Sequence, residues 1–158
     1  MITTEKLVAG FQAILNNLLS ATNASRSTLR LDVPERGFNV SGVVAEALAP
    51  GINSIAAATS INQRASGTAT WLENNRKILV QNDTANAVPS PPPQLIQIYG
   101  TRAQMMAPVV RGKNMTGWIS VHYNVSAREW SAADLAALEY ALAETHKLMH
   151  EMEKGLPQ

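Results

Sequence analysis

QMMAPVVRGKNMTGWISVHY, residues 104–123, carries the pattern of a β-hairpin. A strand over Gln104–Arg111 leads to a tight turn at Gly112, Lys113 and Asn114, and a second strand runs over Met115–Tyr123. Gly112 takes positive φ without steric cost, and Asn114 tolerates it better than most residues. The flanks are rich in β-branched and aromatic side chains, which suit a pleated surface. Period-two alternation puts Gly117, Ile119, Val121 and Tyr123 on one face of the second strand and Trp118, Ser120 and His122 on the other. One face is hydrocarbon; the other joins a hydroxyl and an imidazole to an indole.

Working outward, residues 131–153 read as a long C-terminal helix. Ser131 and Asp134 form an acidic variant of the capping box, and Gly155 and Pro157 supply the stop. Leu135, Leu138, Leu142, Thr145, Met149 and Met152 make a short heptad seam. Residues 3–20 form the N-terminal helix, capped by Thr3 or Thr4, with an apolar stripe of Leu7, Phe11, Ile14, Leu15, Leu18 and Leu19. The seam and the stripe together suit a helical bundle between two subunits. Ser27–Asp32 reads as a strand, Pro34–Gly37 as a turn and Phe38–Leu48 as a second strand. The alanine-rich segment 52–66 suits helix or loop equally. A helix is expected over Gly67–Lys77, and Ile78–Gln81 reads as a central strand. Residues 84–93 hold four prolines and read as a loop, either a rigid connector or a motif for a proline-recognising module. Gln94–Tyr99 suits a helical turn.

With 158 residues, 46% apolar and 16% charged, the chain suits one soluble domain spanning 1–158 with a sizeable core. A net charge of +1, without any basic block, implies neither nucleic acid nor an acidic membrane surface as partner. The absence of cysteine removes disulfides, thiolate metal sites, cysteine nucleophiles and thioether-linked cofactors, and fits a cytoplasmic protein. The N-terminus lacks the basic start and continuous apolar core of a signal peptide, and no stretch is long and apolar enough to span a membrane.

Three segments in order resemble the GAF family of ligand-binding sensory domains: ILVQND at 78–83, AQMMAPVVRGKNMTGWISVHY at 103–123 and REWSAADLAAL at 128–138. The resemblance covers roughly residues 3–153. It implies an α+β fold with a central antiparallel sheet of about five to six strands. The N- and C-terminal helices would cover one face, and loops and short helices would roof a ligand pocket on the other. GWISVHY also looks like the strand of phytochrome-type GAF domains in which a histidine faces a bilin, with His122 at that position. With no cysteine and no phytochrome-like Asp-Ile-Pro segment, a covalent bilin is not expected; a non-covalent tetrapyrrole or haem stays open. The missing cysteine also speaks against the free methionine sulfoxide reductase branch of the family.

His122 is the leading candidate for ligand contact, as hydrogen-bond donor or iron ligand, against the simpler reading of a sheet histidine satisfied by a neighbour. Ser120 and Trp118 share its face. Ser66, Gly67 and Thr68 sit where a helix begins, where exposed N–H groups hold anions or are merely capped. Arg64 and Arg102 are candidate charge partners for an anionic ligand. Trp71 and Tyr99 divide between pocket wall and core. Asp83 is expected to cap the following loop. His146 and His150 have metal-bridging spacing but lack further ligands. No nucleophile elbow, phosphate-binding Gly-rich loop or His-Glu-x-x-His motif is present.

The reading is a stand-alone sensory or regulatory GAF domain that binds a small molecule. It is expected to form a homodimer through its terminal helices and to signal to a downstream protein partner. The alternatives are a small-metabolite enzyme using His122 as acid and base, or a ligand-free interaction module.

Overall fold

The computed structural model describes residues 1–58 and 61–154. The order is α1 (Thr4–Thr22), β1 (Arg26–Leu31), β2 (Ala45–Leu48), α2 (Gly67–Asn75), β3 (Leu79–Gln81), α3 (Pro93–Gln97), β4 (Ala103–Arg111), β5 (Asn114–Tyr123) and α4 (Ala132–Glu153). Five strands form one antiparallel sheet in the order β2-β1-β5-β4-β3. This is the α+β architecture expected, with the predicted hairpin at its centre.

The turn is tighter than expected. Arg111 pairs with Asn114, so Gly112 and Lys113 alone make the turn, and Gly112 carries the positive φ of 62°. A bulge then makes Thr116 the extra residue: Val109 pairs with Gly117, but Val110 pairs with Met115. The bulge turns Met115 toward α2, where it packs with Trp118, Met106 and Ala69. It is held from both sides. Thr116 Oγ1 donates to Asp32 O at 2.6 Å, and Val110 N donates to Nε2 of His146 on α4 at 3.0 Å. His146 is therefore a structural acceptor. Gly117 lies where β1 comes too close for any side chain; a Cβ there would stand 1.9 Å from Arg30 O.

Helices α1 and α4 cover one sheet face. Leu7, Phe11, Leu15 and Leu18 of α1 and Leu138, Ala141, Met149 and Met152 of α4 bury against Leu29, Leu31, Met105, Val109, Ile119 and Val121. Gly10 lets Leu148 close in, since a Cβ on Gly10 would meet Leu148 Cδ1 at 2.7 Å. The capping box of Ser131 and Asp134 is formed, and Thr3 caps α1. The expected stop signals Gly155 and Pro157 lie outside the described residues.

Three expectations need correction. The seam of α4 is spent on its own sheet and on α1, so it is not free to form the centre of an intersubunit bundle. The strand expected over Phe38–Leu48 shrinks to Ala45–Leu48; Phe38 only bridges Val33, and the Asn39–Gly42 stretch turns back on itself. Ile78–Gln81 holds a strand at the sheet edge, not its centre: Val80 is 40% exposed, and β3 pairs with β4 alone. A short apolar run does not tell an edge from a centre. Within 84–93, a 3-10 turn spans Thr84–Asn86, capped by Asp83, and Pro93 begins α3.

Candidate functional site

The sheet face turned away from α1 and α4 carries three cross-strand rows. One runs Arg26, His122, Gln104, Gln81; the next runs Glu46, Thr28, Ser120, Met106, Leu79; the third joins Arg30 to Trp118 and Pro108. Alternation along β1 sends Leu29 and Leu31 to the helices and these polar partners to the other side. Above the rows lie Ile55, Ile61 and Gln63 from the stretch after β2, the start of α2, and Pro92, Leu95 and Tyr99 around α3. Floor and roof border a partly open chamber of about 30 Å³, and Thr28, Arg30, Thr68, Tyr99, Ser120 and His122 are among its lining residues. That is room for about two waters.

Both arginines of β1 are buried, at 1% exposure for Arg26 and 4% for Arg30. Arg26 reaches Nδ1 of His122 with Nη1 at 3.1 Å and Asn53 O with Nη2 at 2.9 Å. Arg30 spends Nη1 on the carbonyls of Val40, Ser41 and Gly42, each at 3.2 Å. Neither makes an ion pair among the described residues. Burial pulls both guanidinium pKa values down, and Glu46 and Tyr99 pull them back up. Glu46, the carboxylate in the floor rows, accepts from Ser54 Oγ and from Ile55 N, tying the roof to β2.

The Arg26 contact settles the state of His122. A guanidinium only donates, so Nδ1 must accept, and the neutral ring carries its proton on Nε2. Burial, then the charges of Arg26 and Arg30, drive the His122 pKa well below its ordinary value. His122 therefore offers the chamber an N–H donor. It has no lone pair free for a proton or an iron atom unless the Arg26 contact breaks.

Of the residues singled out from sequence, His122, Ser120, Trp118, Thr68 and Tyr99 meet at the chamber. Four do not line it. Arg64 is drawn outward by Asp32, at 2.5 Å, and by Met115 O at 3.1 Å. Arg102 is exposed beyond the start of β4. Trp71 packs beside the apolar cluster of Leu72, Met115 and Trp118. Gly67 faces the proline loop, with Ser90 O only 3.3 Å from where a Cβ would stand. The helix start is capped in the ordinary way, Ser66 Oγ accepting from Ala69 N at 3.2 Å. Pro92 roofs the chamber, and Pro89 O accepts from Gln81 Nε2 at 2.7 Å, so the proline loop is part of the lid. Among the described residues no cluster of His, Asp and Glu is arranged to hold a metal ion, and His150 is exposed.

Sequence reasoning missed Arg26, Thr28 and Arg30. Their signal was present: in RSTLRL, polar residues alternate with leucines. What was missing was that the chain folds back over the second face of β1, so that its polar side chains are buried beneath a roof as its leucines are beneath the helices.

The same architecture occurs in solved structures of low sequence identity. The GAF domain of PixJ from Thermosynechococcus elongatus, a blue-light absorbing form, superposes with a TM-score of 0.71 at 15% identity, covering 94% of this chain and 90% of that one. The chromophore-binding domain of the bacteriophytochrome RpBphP3 from R. palustris gives 0.73 at 17% identity, covering 95% of this chain and 57% of that one. A domain of a putative two-component sensor histidine kinase from Sinorhizobium meliloti 1021 gives 0.68 at 13% identity, covering 98% and 95%. A comparison with curated protein sequences finds no match. The GAF domain family model matches residues 7–145, which includes the whole sheet and all but the last turns of α4, and the chain belongs to the GAF domain family.

Proposed function

We propose that this domain is a sensory or regulatory module that takes a small molecule into the chamber above the sheet. One observation carries the reading. The chamber is walled by buried hydroxyl and imidazole groups on Thr28, Tyr99 and His122, and the two hydroxyls have no partner among the described residues. An interior built for packing alone leaves few such groups.

The chamber is small beside ordinary ligand pockets of about 300–1,000 Å³. Binding of anything larger than a few atoms therefore lifts the roof. Residues 52–58 and 61–66 are suited to that, being held among the described residues by scattered turn bonds and by the grip of Glu46 on Ser54 and Ile55. Ligand binding would shift the population of roof positions, and a partner would read the shift. The solved photoreceptor neighbours share this fold and support a sensing role for it. This chain has no cysteine to hold a chromophore covalently.

Association of two copies would use the outer side of the terminal helices. A groove of about 400 Å³ runs there between Ala13, Ile14 and Asn17 of α1 and Ala137, Tyr140 and Glu144 of α4. Tyr140 is 65% exposed on its rim. Catalysis with His122 as acid and base is disfavoured, because Arg26 occupies the lone pair a base would use.

Native mass spectrometry of the purified protein, followed by thermal-shift screening of metabolites, tests the reading. A bound mass or a saturable rise in Tm is expected, with His122→Ala weakening the affinity about tenfold. A bare mass and a flat screen would leave a ligand-free interaction module in its place.

A further inference from the structure

The charge of the floor says what kind of molecule the chamber takes. Arg26 and Arg30 place two permanent positive charges beneath it, and Glu46 supplies one negative charge in the same rows. Asp32 is engaged by Arg64 and by Val40 N, at 2.5 and 2.8 Å. Buried cations are normally matched by carboxylates in contact, because desolvating a charge without a partner is costly. Here the contacts of both guanidiniums are carbonyl oxygens and a ring nitrogen.

The free hydrogen-bonding capacity is on the donor side. Nη2 and Nε of Arg30 have no partner among the described residues, and neither does Nε2–H of His122. The hydroxyls of Thr28 and Tyr99 are buried and have no partner among the described residues. Ser120, at 7% exposure, adds another hydroxyl to the lining. Two waters would satisfy the hydroxyls but would leave the excess positive charge unmatched.

Resting on the binding reading above, we infer that the chamber selects a compact oxyanion, the size of acetate, nitrate or bicarbonate, held by Arg30, His122, Thr28 and Tyr99. A planar oxyanion matches the fork of a guanidinium, and its remaining lone pairs accept from the imidazole N–H and the hydroxyls. Larger ligands would present the same group, as a carboxylate on a longer body that displaces the roof.

Calorimetric titration with sodium acetate, nitrate and bicarbonate at constant ionic strength, against chloride and the neutral acetamide, tests this. At least one of the three anions is expected to bind saturably and raise Tm, and acetamide is expected not to. Thr28→Val and Tyr99→Phe should each weaken that binding about tenfold while leaving the unliganded Tm unchanged or raised, since each removes a hydroxyl that has no partner to orphan. Acetamide binding as well as acetate, both variants binding like the parent, or no response to any of the three anions would each overturn the inference. If neutral metabolites bind where these anions do not, the anion assignment alone falls. If nothing of any charge binds, the binding reading falls with it.

Discussion

His122 is a donor because of Arg26, and that has consequences in solution. The pair predicts a neutral ring with its proton on Nε2. Nitrogen NMR of the imidazole checks this directly; a protonated Nδ1 near neutral pH would contradict it. Burial and two nearby guanidiniums hold the folded pKa of His122 well below that of the unfolded chain, about 6.5. Between those values the unfolded chain binds the extra proton, so stability rises with pH there. The contribution of His122 is complete above about pH 6.5 and is lost as pH falls through its folded value, at a limiting slope of about 1.4 kcal/mol per pH unit. Partly buried His146 is lowered by burial and acts in the same direction, less strongly because solvent reaches it. Denaturant midpoints measured from pH 7.5 downward should fall below about pH 6.5. His122→Gln keeps an acceptor for Arg26 without titrating, and should flatten most of the decline. Gly117 is the other position where one atom decides. Gly117→Ala drives a methyl into the backbone of β1 and should cost about 3 kcal/mol by chemical denaturation.

The hairpin and the last helix are bound together through the bulge at Thr116. An extra residue in β5 leaves Val110 N without a strand partner, and α4 supplies His146 to accept from it. His146→Ala should leave that partly buried N–H without its acceptor and cost about 1 kcal/mol, measured as a shift in urea midpoint. Ser131→Ala removes half of a formed capping box and should cost about 1 kcal/mol in the same assay. The hairpin itself was legible from Gly112 and the β-branched flanks, and the helices from their caps and stripes. The edge position of β3 and the shortness of β2 were not. Both depend on which strand lies alongside, and a run of four or five residues does not encode its neighbours.

The chamber belongs to the whole molecule, since its floor comes from β1, β4 and β5 and its roof from segments dozens of residues away. If the roof lifts to admit a ligand, amide exchange in residues 52–58 and 61–66 should be fast in the free protein and slow on binding. Equal exchange in both states would mean that the roof is fixed. The groove between α1 and α4 makes a separate prediction. Light scattering should report a dimer, and Tyr140→Arg, placed on its exposed rim, should shift it to monomer.

Alternation and capping were enough to establish from sequence a helix–sheet domain whose last strand has a greasy side and a polar side, with His122, Ser120 and Trp118 on the latter. These are local properties, carried by spacings of two, three and four residues. Only the tertiary structure decided that Arg26 and Arg30 lie buried beneath the same chamber, that Arg64 and Arg102 do not reach it, and that His122 is held as a donor. Those facts turn on β1 pairing with β5 across some ninety residues of chain, and on a carbonyl or carboxylate being nearer to one arginine than to another. Electrostatic partners are chosen in space, and a linear pattern does not record them.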